Sequence, residues 1–296
     1  MTSFPERIPR IAPAIDSVLR QKDPSDRFII WLAEEEFPNG VQDIPNNIRK
    51  YSKDIGGNVE FRFTKPIRSF KKIIPTLEAF PDAVIITVDD DTVYPDGTIQ
   101  KLKKALERHP DSISSHCVCD LYRTHGQWRR TTGNMGFIKG FPCLRIIISA
   151  GGTIYPPHAL DPIALDVQKI MALTPTNDDF WTWFCAARKG TPIRSVPHGI
   201  IRNFPIPTAT TVGALSSINE VDGDKVNLRN LRNLLDFDPS LEERMIEIYS
   251  RHRLQILLCR VCRLLFWYPR QAYWCLSQVG FRFLIGEIRH KLKSIS

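Results

Sequence analysis

The apolar run Ala83-Val84-Ile85-Ile86-Thr87-Val88 stops at three consecutive aspartates, Asp89, Asp90 and Asp91. A short apolar run bounded in this way reads as a buried strand, which needs sheet neighbours and covering layers on both faces. Carboxylates at its end put hard oxygen donors at the carboxyl edge of a sheet, where open α/β folds keep their ligands. Such an edge suits Mg²⁺ or Mn²⁺ and, through the metal, a diphosphate. The competing reading is a plain loop in which Asp96, in Tyr94-Pro95-Asp96-Gly97, caps the next helix. It accounts for Asp96 but not for three like charges side by side, which repel unless a cation neutralises them.

Around that strand the pattern alternates. Pro9 to Gln21 has helical spacing (Ile11, Ile15, Val18, Leu19), followed by the strand-like Phe28 to Leu32. After a loop over Glu34 to Asn47 comes a second strand, Val59 to Phe63, then a basic helix from Arg68 to Phe80 and, past the aspartates, a helix from Asp96 to Arg108. This predicts an α/β fold with a mainly parallel sheet flanked by helices. Ser112 to Cys119 and Arg145 to Ser149 read as further strands separated by a basic, Gly-rich loop over Thr124 to Gly140, and helices are expected over Pro162 to Leu173 and Asp179 to Lys189. The stretch Ala150-Gly151-Gly152-Thr153-Ile154-Tyr155-Pro156-Pro157-His158 reads either as a tight turn or as a close backbone approach to a ligand. Thr176-Asn177-Asp178-Asp179 opens the last of these helices. Its residues either cap it, or one carboxylate caps while the other faces the cleft as a general base.

With 43% hydrophobic and 24% charged residues over 296 positions, the chain is long enough for one large globular domain with an appendage. The charge is uneven. Residues 251–296 hold nine Lys or Arg against one acid, Glu287; removing these from totals of 40 and 32 leaves 31 bases and 31 acids in residues 1–250. The expected division is therefore a neutral body over 1–250 and a basic, aromatic-rich helical tail over 251–296. Leu254, Leu257, Leu258, Val261 and Leu265 make a helical stripe there, with Phe266, Trp267, Tyr268, Tyr273 and Trp274 adding aromatics. Basic charge with interfacial aromatics suits a helix lying on an anionic bilayer; packing against the body is the alternative. The tail is interrupted by Arg260, Arg263, Arg270 and Arg282, so no span is expected. Seven scattered cysteines fit a reducing compartment, and the lone Cys259/Cys262 pair is a packing feature rather than a zinc site.

Taken together, Thr2-Ser3-Phe4-Pro5-Glu6-Arg7-Ile8, the Phe28 to Leu32 strand, Ser69-Phe70-Lys71-Lys72, the run from Ile86 to Pro95, Gly151 to Pro157 and Asn177-Asp178-Asp179-Phe180-Trp181 occur in an order that resembles bacterial glycosyltransferases of the GT-A fold, near the family 2 type, of capsule or lipopolysaccharide synthesis. The resemblance covers roughly residues 1–205. It implies a Rossmann-like hexosyltransferase that takes a nucleotide-sugar donor, a UDP-sugar first of all, and a glycan or lipid-linked acceptor, with Mn²⁺ or Mg²⁺ as cofactor. It assigns the metal to Asp91 and Asp89, with His198 as a further ligand, and the donor to Thr2, Ser3, Arg7, Lys71, Lys72, Asp89, Asp90, Gly151, Gly152 and Thr153. It makes Asp179, or in second place Asp178, the base of an inverting displacement. It also implies a cytoplasmic location, peripheral on the inner membrane. In relatives the Thr-Ser-Phe-Pro motif follows an apolar first strand, whereas here Met1 stands directly before Thr2; either the native start lies upstream or most of that strand is missing. Other readings are a metal-dependent phosphoryl-transfer or hydrolytic enzyme and a non-catalytic membrane-associated scaffold. Nucleic-acid binding through the basic tail would leave the aspartates unexplained.

Overall fold

A computed structural model describes residues 1–131, 141, 143–196, 204–205, 216–219 and 221–262. Its strands are β1 (Phe28–Ala33), β2 (Val59–Thr64), β3 (Ile85–Thr87), β4 (Thr92–Val93), β5 (Ile113–Ser115), β6 (Val118–Thr124), β7 (Gln127–Arg130), β8 (Arg145–Ile147), β9 (Thr153–Tyr155), β10 (Ile193–Ser195) and β11 (Phe204–Pro205). Its α-helices are α1 (Ala12–Leu19), α2 (Asn46–Arg49), α3 (Ile74–Ala79), α4 (Thr98–Arg108), α5 (Val167–Leu173), α6 (Asp178–Lys189), α7 (Ser216–Asn219), α8 (Val221–Phe237), α9 (Pro239–Arg251) and α10 (Arg253–Cys262).

The fold is α/β, with mixed rather than mainly parallel sheets. β1 and β2 run parallel, from Phe28 opposite Val59 to Ala33 opposite Thr64. A four-stranded sheet has the order β10-β5-β9-β3. β5 and β10 are parallel in it, but β9 lies antiparallel to both neighbours. β6 pairs antiparallel with β7 and β8, and β11 antiparallel with β4. The expectation failed at β9: Thr153 to Tyr155, expected as turn or ligand loop, is a strand threaded between β3 and β5. The expected single strand over Ser112 to Cys119 divides into β5 and β6, and the start of the expected basic loop forms the β6–β7 hairpin. Thr2 makes a parallel bridge to Trp31, and the Trp31 amide donates to the Met1 carbonyl at 3.0 Å. The first residues thus lie along β1.

Two apolar cores meet at β3. Ile85 belongs to one, with Tyr155, Phe70 and the helix α6 aromatics Phe180, Trp181, Trp183 and Phe184. Val88, just past the strand, belongs to the other, with Ile30 and Leu32 of β1, Ile11 at the cap of α1 and the α1 face Ala14, Ile15 and Val18. Burial of such side chains contributes about 1.5–3 kcal/mol each and fixes where β3 ends. The aspartates follow at that junction. The first core also takes in Leu231, Leu234 and Leu235 of α8, Leu241 and Met245 of α9 and Ile256 of α10, so it runs past residue 250. Among the described residues no helix is long and apolar enough to cross a membrane, and the cysteines Cys119, Cys143 and Cys185 are free thiols.

Candidate active site

Two local events free the acidic side chains of this region. Helix α6 is capped by Asn177, whose side-chain oxygen accepts from the Phe180 amide at 2.8 Å, so neither Asp178 nor Asp179 is used as the cap. Helix α4 begins after Gly97, at φ +78°, without a side-chain cap; the expected capping role of Asp96 is not what the chain uses. Glycine takes that left-handed conformation without a Cβ penalty.

Lys72 ties the two acidic groups together. It sits at the end of a single-turn helix over Arg68–Lys72, 6% exposed. Its Nζ is 2.7 Å from Asp89 Oδ1, 2.8 Å from Asp178 Oδ2 and 2.6 Å from Ser149 Oγ. Burial opposes its charge, yet Asp178, Asp89 and Asp179 together lift its pKa well above the ordinary lysine value. Burial works to raise Asp178 too, but the Lys72 ammonium outweighs it and holds that carboxyl below its usual range.

Asp179 has no such cation in contact among the described residues. Its Oδ1 accepts from the Ser149 amide at 2.9 Å. Burial and the neighbouring Asp178 carboxylate push it up to about 7. Two adjacent aspartates are thereby divided, one kept ionised and one able to exchange a proton near neutral pH.

The three aspartates at the end of β3 also divide. Asp90 turns inward, its side chain 5% exposed, and meets Arg7 at 2.9 Å. Burial raises it above its ordinary value, against the pull of Arg7 and the Ser3 hydroxyl. It serves as the internal partner of Arg7 rather than as a group open to a ligand. Asp89 and Asp91 each keep 21% of their side chains exposed, enough to be reached from solvent. Asp91 lies 3.4 Å from Arg7, and burial together with Asp89 and Asp90 pushes its carboxyl up to about 6. The Asp89 amide donates to the Tyr94 hydroxyl oxygen at 2.7 Å, and that hydroxyl donates to the Ala150 carbonyl, which fixes the turn.

Among the described residues no three His, Cys, Asp or Glu side chains converge as a metal-holding group. The donors at the edge are the two exposed carboxylates Asp89 and Asp91. That set fits a Mg²⁺-type ion, which is commonly held by one or two carboxylates and completes its shell with water and substrate phosphates. His198 lies outside the described residues.

The remaining expected residues are distributed unevenly. Thr2 donates through Oγ1 to the Trp31 carbonyl at 2.7 Å, and Ser3 is buried with its carbonyl accepting from Lys71 at 3.2 Å. Lys71, also paired with Glu36 at 2.8 Å, clamps this first loop to the Glu34–Glu36 turn. Gly151, Gly152 and Thr153 pack inward instead of lining the acidic edge. A Cβ on Gly151 would come within 2.6 Å of the Cys117 backbone nitrogen, the Gly152 carbonyl accepts from the His116 amide, and Thr153 Oγ1 donates to Ser115 Oγ at 2.8 Å. Ser149 and Tyr94 join the site unforeseen. The serine's place just past β8, two residues before Gly151, was the available signal.

No protein-family model matches this chain, and no curated protein matches it at a significant level.

Proposed function

We propose that the chain is a metal-dependent glycosyltransferase of the GT-A type, transferring a sugar from a nucleotide-sugar donor to an acceptor hydroxyl with inversion. One observation carries the reading: a single buried ammonium, Lys72, contacts both the aspartate turn after β3 and the start of α6. A charge-rich edge suited to a diphosphate thus adjoins a carboxylate suited to take a proton. The mixed α/β architecture accords with it.

Asp179 is the base. With its pKa near 7 it accepts the acceptor's hydroxyl proton as the oxygen attacks the anomeric carbon. Ser149 orients it through the backbone amide. Asp178, held ionised against Lys72, keeps its negative charge beside Asp179 and raises its proton affinity. Asp89 and Asp91 would hold Mg²⁺ or Mn²⁺, which when bound supplies positive charge opposite the departing diphosphate. Arg7 and Lys72 supply fixed positive charge at the same edge.

The test is thermal stabilisation by a panel of nucleoside diphosphates and nucleotide sugars, with and without Mn²⁺ or Mg²⁺, followed by turnover with and without acceptors. Metal-dependent stabilisation by one nucleotide, lost in Asp91→Asn and kept in an inactive Asp179→Asn, is the expected result. Full transfer activity in both variants would sink the assignment. Acceptor-independent turnover would instead indicate a hydrolase.

A further inference from the structure

Helix α10 carries its apolar stripe on the side away from the protein. Leu254 is 76% exposed, Leu258 63%, Leu257 51% and Val261 43%. At about 100° per residue these four fall within one arc of roughly 100°. Ile256, at 7% exposure a member of the main core, points to the opposite side of the helix. At the helix start the His252 ring lies 4.9 Å from that of Phe141. The helix is therefore seated by Ile256 and by its start, and the stripe is not the face that joins it to the body.

The charge around the stripe selects what it meets. Helix α10 contains Arg253 and Arg260 and no acid, Arg251 ends the helix before it, and residues 251–296 hold nine Lys or Arg against one acid. A second copy of this chain would bring one basic face against another. A bilayer with anionic headgroups offers an apolar layer and negative charge on the same surface, which is what an interfacial amphipathic helix uses. We infer that Leu254, Leu257, Leu258 and Val261 form a docking face for an anionic lipid surface, with α10 lying in the plane of the headgroups. This goes beyond the transferase reading and does not depend on it.

The experiment sediments the full chain with vesicles of phosphatidylcholine alone and of phosphatidylcholine with phosphatidylglycerol, at low and high salt. The comparison variant, Leu254→Ser with Leu258→Ser, changes two exposed side chains and leaves Ile256 in place; an unaltered melting temperature confirms its fold. The wild type should pellet with the anionic vesicles, detach as salt rises, and bind at least about tenfold better than the variant. Wild type remaining in the supernatant, equal pelleting by the variant, or equal binding to uncharged vesicles would each overturn the inference. A wild-type dimer that the variant turns into a monomer, without vesicle binding, would assign the face to a second copy. Vesicle binding that appears only after truncation behind Cys262 would show residues 263–296 covering the stripe, and would also overturn it.

Discussion

Lys72→Met removes one buried ammonium and leaves three polar partners behind. Asp178 has 12% of its side chain exposed and Asp89 21%, so Asp178 carries most of the penalty while water partly serves Asp89. Removing one partner of a buried ion pair costs about 3–5 kcal/mol; with Asp89 partly hydrated, the lower end, about 3 kcal/mol, is expected. In a chain of 296 residues that lowers the melting temperature by about 5 °C at pH 7. The loss should depend on pH. In the wild type Asp178 has a depressed folded pKa, so its contribution is present above the unfolded value and fades as pH falls through the folded one. In the variant the hydrogen bonds from Ser69 and the backbone remain but the ammonium no longer offsets burial, so the Asp178 pKa rises and protonation relieves the buried charge as pH falls. The gap between the two proteins, measured by thermal denaturation, should therefore narrow from pH 7 to pH 5. A gap of under about 2 °C, or one that stays constant over that range, would refute the role of Lys72 as internal counter-ion.

Because the Asp179 carboxyl sits near 7, transfer measured as initial rate against pH should fall below neutrality, and an acid limb centred near pH 4 would contradict the base assignment. The same raised pKa means the folded state holds a proton that the unfolded state has released, so stability falls as pH climbs from the unfolded value toward 7; Asp179→Asn should melt higher than wild type at pH 8, and a lower melting temperature would count against this. Gly151→Ala should lose about 1–3 kcal/mol in urea denaturation through collision with Cys117, and an unchanged midpoint would deny the close approach.

Much of the scaffold was legible where the periodicity was long enough. β1 shows as an apolar run, β2 as apolar residues at alternate positions, α1 and α4 as helical spacing, and β3 as a run ending in charge. Three-residue strands such as β9 display no period, and the two glycines before it read as a turn; antiparallel insertion there is decided by Gly151 fitting against Cys117, a contact between distant segments. The acidic edge was legible as a set of residue types. Its division of labour was not, because it depends on burial and on which carboxylate a cation reaches: Lys72 takes Asp89 and Asp178, Arg7 contacts Asp90 and, at 3.4 Å, Asp91, and burial leaves Asp90, Asp91 and Asp179 with raised proton affinity. Helical periodicity showed the α10 stripe, but only the seating of Ile256 shows which way it faces.

The amide cap of Asn177 has a consequence for α6. A carboxylate cap accepts its hydrogen bond most strongly when ionised, so a catalytic aspartate serving as cap would loosen the first turn each time it took up a proton. An amide is neutral across the whole working pH range and holds the Phe180 amide equally well in every protonation state. The Asn177 amide nitrogen is itself anchored on Asn227 of α8, at 2.5 Å. The cap of the helix is thus independent of the proton traffic two residues on, and Asp179 can cycle between its two forms on a support that does not depend on its charge.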